Sequence, residues 1–373
     1  MKTAFIVFSG IIVLGVGAVF LFPSVIPEYS SGIQNTEMDP RVGLEDDKEA
    51  HTILFVGDIM LDRSVKEQID AAQDPLYPFL RIADTLRSAD LTFANLEGPI
   101  SSRGTNQGSQ YSFRFSPAST ISALRFAGID IVNLANNHIL DWGAQALLDT
   151  MASLDEAPLG YTGAGRNEQE ANLPSIGLVG NTKVAIMGYT TLYPKSLEAS
   201  ATNPGISSFN LPRARDLIQS IKANQMADVV IISMHWGTEY ATSSDESQRV
   251  IAHALIDSGA DLIIGHHPHV VQEVERYESS VIPEYPSGIQ NRDMDPGSTG
   301  RDDKRVGYIV YSLGNFVFDQ DFSSATMNGL MIQANLKDKK IESIERIPIQ
   351  LTPTFQPYIP GQLGDPALIG SGS

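Results

Sequence analysis

Five short apolar runs in this chain each end in a side chain able to hold a metal ion. Residues 53–56 run into Gly57-Asp58, 91–94 into Asn95-Leu96-Glu97, 129–134 into Asn136-Asn137-His138, 229–234 into His235, and 262–264 into Gly265-His266-His267-Pro268-His269. Parallel strands buried on both faces read as continuous Val/Ile/Leu runs, and open α/β sheets place their sites just beyond the carboxyl ends of those strands. The five ends are therefore expected to converge on one site. Helix-like stretches at 117–126, 142–154, 211–223 and 246–258 separate the runs, and this alternation of strand and helix predicts an α/β fold. Closing strands are expected at 308–313, 330–336 and 341–350, with Asp338-Lys339-Lys340 as a turn.

The residues at the five ends are Asp, Glu, Asn and His, and the chain has no cysteine. Such a set suits one or two divalent ions, with Mn, Fe or Zn favoured, better than a structural zinc site. Two ions a few Å apart need a shared carboxylate. Glu97 is the natural bridge, with Asp58 and His269 on one ion and Asn137, His235 and His267 on the other. His138 is then free to act as a general acid, and Asp141, three residues on, can orient its ring. Arg63 and Arg114 are candidates to grip an anionic substrate group, with structural ion pairs as the alternative. Adjacent residues on an extended segment point to opposite faces, so His266 is expected to turn away from the site that His267 and His269 share. His51 and His253 are read as structural or exposed.

With 42% hydrophobic residues in 373, the chain can bury one main domain, expected at 51–350. A formal net charge of −18 argues against nucleic acid or an anionic membrane surface as a general partner. The amino terminus reads differently. Lys2 precedes an uncharged apolar stretch at 4–22, so residues 1–23 are expected to form an uncleaved single-pass transmembrane anchor, with the domain on the extracytoplasmic side of the cell membrane. A cleaved signal peptide is the alternative, and either exports the domain.

Residues 24–50 read as a polar tether, and part of it occurs twice: SVIPEYSSGIQNTEMDP at 24–40 returns as SVIPEYPSGIQNRDMDP at 280–296. The second copy is read as a loop inserted over 280–304 at a hairpin tip. It is a tolerated duplication without a role, a second docking segment for one partner, or a competitor of the tether for one groove on the domain. Residues 351–373 are expected to be a loose tail.

Together these stretches resemble the bacterial capsule-synthesis CapA family, which includes the membrane-anchored CapA/PgsA-type component of poly-γ-glutamate synthesis. The resemblance is carried by GDIMLDR at 57–63, ANLEGPIS at 94–101, NLANNHILDWG at 133–143, GYTGAG at 160–165, HWGTEY at 235–240, GHHPHVVQ at 265–272 and YSLGNFVFDQ at 311–320. It implies a metallophosphatase-like sandwich of two mixed β-sheets flanked by α-helices, as in the calcineurin-like metallophosphoesterase superfamily. It also implies polymer-synthase membrane subunits as partners and an anionic polymer or a phosphoester as substrate. Asp58 matches the first metal aspartate, Asn137-His138 the Gly-Asn-His motif, His235 the isolated histidine and His267/His269 the Gly-His-x-His pair, with Glu97 in the place of the bridging aspartate. One ligand departs. Where the superfamily has Asp-x-His this chain has Asp58-Ile59-Met60, so the first ion is expected to be weak, absent or completed by another residue such as Asp319 or Asn315. A non-catalytic scaffold and a generic secreted phosphodiesterase are the other functions such a chain admits.

Overall fold

Alternation along the apolar runs decides which layer each strand meets. In β1 (His51–Ile59) Ile53 and Phe55 enter one core while Leu54 and Val56 enter another, so both faces of the strand are buried and its sequence shows no polar alternation. The computed structural model describes residues 50–193, 195–279, 305–362 and 365–366. The expected anchor at 1–23, tether residues 24–49 and the repeat copy at 280–304 lie outside the described residues. Among the described residues no helix is long and apolar enough to cross a membrane.

In chain order the strands that follow are β2 (Leu91–Leu96), β3 (Ile131–Asn133), β4 (Gly160–Thr162), β5 (Ala164–Gly165), β6 (Ser175–Val179), β7 (Thr182–Thr190), β8 (Gly205–Ile206), β9 (Val229–His235) and β10 (Leu262–His266). The chain closes with β11 (Val274–Ser279), β12 (Arg305–Val310), β13 (Asn315–Val317), β14 (Asn328–Lys337), β15 (Lys340–Leu351) and β16 (Pro357–Tyr358). One mixed sheet has the order β16-β15-β14-β1-β2-β3-β4, with β13 also on β1; the other has β11-β12-β10-β9-β7-β6. The central pairs β1-β2, β2-β3, β7-β9 and β9-β10 are parallel, so the strands that carry the candidate ligands end on the same side within each sheet.

Ile53, Phe55, Phe93 and Ile332 of the first sheet meet Ile186, Ile231, Ile264 and Val310 of the second in one apolar layer. Helices α1 (Arg63–Ala72), α2 (Ala83–Arg87), α3 (Pro117–Ala127) and α4 (Gly143–Glu156) pack on the far face of the first sheet, and α6 (Leu211–Ala223) and α7 (Glu246–Ser258) on that of the second. The short α5 (Glu168–Ala171) adjoins the small β5-β8 pair. The layers thus run helix, sheet, sheet, helix. Burying each large aliphatic side chain contributes about 1.5–3 kcal/mol, so these three apolar layers dominate the stability.

Sequence reading found α6 and α7 at their observed limits but missed α1, whose only buried residue is Val65. It also missed the β6-β7 hairpin, turned at Gly180-Asn181. The tail expected from 351 onward is corrected at its start. Phe355 and Ile359 are buried and Pro357–Tyr358 pairs with β15, because two large apolar side chains there gain more from the core than the prolines lose in pairing. β11 and β12 form an antiparallel pair whose last register has Ser279 opposite Arg305, the two residues that flank the second repeat copy.

Asp58 owes its position to a glycine. A Cβ on Gly57 would meet the Gly314 carbonyl oxygen at 2.0 Å, and that same oxygen accepts the Asp58 N–H at 3.1 Å. Backbone cannot yield as a side chain can. Gly57→Ala is therefore expected to cost about 1–3 kcal/mol of stability by overpacking. Urea denaturation checks this, and an unchanged midpoint would contradict so close an approach.

Candidate metal centre

The carboxyl ends of strands from both sheets meet over one buried cluster. Asp58, Glu97 and His235 each offer a ligand atom within 4.8 Å of the others, and so do Glu239, His267 and His269. His269 joins the groups: its Nδ1 lies 3.3 Å from Asp58 Oδ2 and its Nε2 3.6 Å from Glu97 Oε1. Asn137 Oδ1 is 2.7 Å from His235 Nε2, and the His235 and His267 rings are 4.9 Å apart. All six metal ligands named from sequence, Asp58, Glu97, Asn137, His235, His267 and His269, are thus neighbours in space.

Four buried atoms here lack a hydrogen-bond partner among the described residues: Glu97 Oε1, both ring nitrogens of His266 and His267 Nδ1. Each such atom costs on the order of 1–3 kcal/mol. A group of oxygen and imidazole lone pairs left open in one place fits a divalent cation, which would use them.

Sequence reading missed Asn95. Its Nδ2 donates to Asp58 Oδ1 at 2.9 Å and Glu97 Oε2 at 3.2 Å and lies 3.4 Å from His235 Nδ1, while its Oδ1 accepts from Asn133 at 3.0 Å. It therefore holds three candidate ligands at fixed separation. Its signal was its position two residues before Glu97, which directly follows β2, where alternation carried on past the strand end puts both on one face.

The expectation for His266 is corrected. As the last residue of β10 it follows Leu262 and Ile264 onto the face between the sheets, fully buried, with Nδ1 3.2 Å from Asp58 Oδ1 but out of hydrogen-bond alignment. The alternation rule placed it correctly relative to the strand and failed for its neighbours. His267 and His269 have φ of 97° and 58°, left-handed values that turn both rings back into the cluster. Such backbone costs on the order of 1–3 kcal/mol per residue and concentrates at functional sites.

The other expected residues lie as follows. His138 Nδ1 is 2.8 Å from Asp141 Oδ2, which also accepts the Phe113 N–H at 2.9 Å, and His138 Nε2 faces Glu97 Oε1 at 4.0 Å. Arg63 is gripped by both carboxylate oxygens of Asp319 and lies 5.0 Å from the centre of the Phe113 ring. Arg114 stacks over Trp142 at 3.6 Å and its N–H donates to Asp62 Oδ2 at 2.8 Å, with no ion pair among the described residues. Asp319 is taken by Arg63, and Asn315 Oδ1 holds His269 Nδ1 at 3.0 Å, so neither stands in for the ligand missing at Met60. His51 beside Asp90 and His253 against Glu275 lie apart from the cluster.

Burial pushes the Glu97 carboxyl well above the usual carboxylate range, and the neighbouring Asp58 pushes it further. Burial would raise Asp58 too, but the imidazoles of His266 and His269 at its oxygens hold it well below that range. Burial and the adjacent His269 bring His267 down to about 3. Without a cation the cluster therefore favours an ionised Asp58, a protonated Glu97 and a neutral His267. The proton that competes with a cation is the one on Glu97, so affinity should rise with pH as that proton leaves. Calorimetry over a pH series in two buffers of different ionisation heat is expected to show net proton release on metal uptake that diminishes as pH rises. No release, or affinity falling as pH rises, would contradict this assignment.

Residues 52–320 match the family described as bacterial capsule synthesis protein PGA_cap, and the chain belongs to that family. It is 31% identical over 310 residues to the capsule biosynthesis protein CapA of Bacillus anthracis, covering 82% of this chain and 68% of that protein. It is 29% identical over 302 residues to the PGA biosynthesis protein CapA of Bacillus subtilis strain 168, covering 80% and 70%. A phosphatase from Mycoplasma pneumoniae of known structure overlays with a TM-score of 0.46 and 13% identity, over 81% of this chain and 94% of that one. An overlay that loose says nothing about chemistry.

Proposed function

We propose that this protein is a membrane-anchored, extracytoplasmic component of capsule or poly-γ-glutamate biosynthesis, export or anchoring, and that its buried cluster is a metal-dependent hydrolase site. The observation that carries the reading is the convergence of Asp58, Glu97, Asn137, His235, His267 and His269 on one centre with unpartnered lone pairs in it. Divalent cations supply the Lewis acidity that activates water and stabilises the charge of an in-line displacement. The chain supplies the rest. Asp141 accepts from Nδ1 of His138 and so directs Nε2 into the site, where it can give a proton to a leaving oxygen or nitrogen. The bond cleaved is a phosphoester or an amide of the polymer.

With Arg63 engaged by Asp319 and the chain carrying a net charge of −18, one local grip on an anionic substrate is favoured over a long binding track. The uncharged stretch at 4–22 supports the anchor, and family membership supports a polymer-synthase membrane complex as partner. The test is turnover of simple phosphodiesters and of poly-γ-glutamate by the metal-loaded protein, with protease accessibility of the domain in intact cells. Turnover with an accessible domain supports the proposal; an inaccessible domain sinks the location.

A non-catalytic scaffold is the second reading, favoured by Met60. Its side chain sits in the helix-side core, where Sδ accepts the Asp62 N–H, and so withholds one ligand from the centre. Metal binding without turnover of either substrate class, and loss of capsule on deletion of the gene, would favour it.

A further inference from the structure

Met60 leaves the cluster one ligand short on the side of His269, and neither Asp319 nor Asn315 supplies it. One carboxylate close by has no part in the ligand set that the resemblance implies. Glu239 follows β9 on the loop through Gly237, whose φ of 85° lets the chain turn back just beyond His235 and Trp236. That loop is fastened to the histidine segment by the Tyr240 N–H donating to the Pro268 carbonyl at 2.8 Å. Gln272 Nε2 donates to Ala241 O at 2.8 Å and Gln320 Nε2 to the Tyr240 hydroxyl at 3.2 Å, so the turn is held from two further sides. The Glu239 carboxylate is thereby brought within 4.8 Å of ligand atoms on His267 and His269 while its own side chain faces solvent. His267 Nδ1 on the buried side has no hydrogen-bond partner among the described residues.

We propose that Glu239 is a metal ligand, completing with His267 and His269 an outer cation site beside the inner one of Asp58, Glu97 and His235. The deeper reason is chemical. Hard and borderline divalent ions take a carboxylate readily and a thioether poorly, so a glutamate arriving from the solvent side gives the two histidines a third donor that Met60 does not supply. Being exposed, Glu239 would make the outer ion the more exchangeable of the pair. The proposal rests on the metal-dependent reading above and deepens it.

The test uses the full chain stripped of metal and titrated with Mn²⁺, read by elemental mass spectrometry for content and by electron paramagnetic resonance for coupling between neighbouring ions. Wild type is expected to take a tighter and a weaker ion. Glu239→Gln keeps shape and removes charge at an exposed position, so its melting temperature should match wild type. It is expected to hold the inner ion, bind the outer one at least about tenfold more weakly and lose the coupled signal, with Glu239→Asp partly restoring both. Equal content and affinity in wild type and Glu239→Gln would overturn the proposal and leave the metal-dependent reading standing. No Mn²⁺ in wild type would overturn both.

Discussion

Glu97→Ala is expected to strip the protein of most of its metal, and to do so without unfolding it. Glu97 is fully buried, and it stands between the two ligand groups: Oε2 accepts from Asn95 at 3.2 Å, while Oε1 faces His269 Nε2 at 3.6 Å and has no hydrogen-bond partner among the described residues. Removing an outer hydrogen-bond partner of a ligand typically costs about 10–100-fold in metal affinity, and losing the bridging carboxylate itself should exceed that. Asn95→Ala, which frees Asp58, Glu97 and His235 from a common donor, is expected within that range. His235→Ala should resemble Glu97→Ala. The metal-free protein gives a second signature. Glu97 is a buried carboxyl whose charged form is disfavoured by burial and by the neighbouring Asp58, so its removal takes out a costly buried polar group and should leave the melting temperature of the stripped protein unchanged or raised. Elemental mass spectrometry of the variants beside wild type measures the first effect, and a thermal melt after chelation the second. Wild-type metal content in Glu97→Ala would remove Glu97 from the centre and with it the bridged arrangement.

How much of this was legible beforehand depends on the kind of signal. The strand ends were readable because a parallel strand buried on both faces has only one place, its carboxyl end, where Asp, Glu, Asn or His can be reached by a ligand. α6 and α7 were readable because their caps are written locally, Asn210 accepting from Arg213 N and Asp245 forming a capping box with Gln248. α1 was not, since a helix that buries only Val65 leaves almost no apolar stripe. His266 was misjudged because alternation holds only while the backbone stays extended, and the left-handed φ of His267 and His269 has no sequence mark of the kind glycine gives. Glu239 gave no signal at all. An acidic residue in an exposed loop looks like any solvated charge until the Tyr240 to Pro268 hydrogen bond fixes that loop against the histidines.

His138→Ala separates chemistry from metal binding. The ring is ordered from one side by Asp141 at 2.8 Å and covered by Phe113, whose ring centre lies 4.2 Å away, so the direction of Nε2 does not depend on a cation. Glu97 Oε1, a candidate ligand atom, is 4.0 Å from its Nε2, too far for a hydrogen bond and near enough for a bound substrate oxygen to lie within reach of both. A positioned general acid typically contributes about 10²–10⁴-fold, so phosphodiester turnover should fall by that factor in His138→Ala while metal content stays at the wild-type level. Asp141→Asn should lower turnover less, because the ring remains but its preferred tautomer is lost; the Phe113 N–H would still find the amide oxygen. The pH profile adds a readout that a structural role would not move. If His138 gives the proton, the pH dependence of the wild-type rate changes shape in His138→Ala, whereas loss of a merely structural ring would leave that shape unaltered. Metal lost together with activity would make His138 a ligand. Turnover unchanged would place the acid elsewhere, with water as the remaining proton source, and would leave the His138 and Asp141 pair as a brace for the loop that carries Asn137.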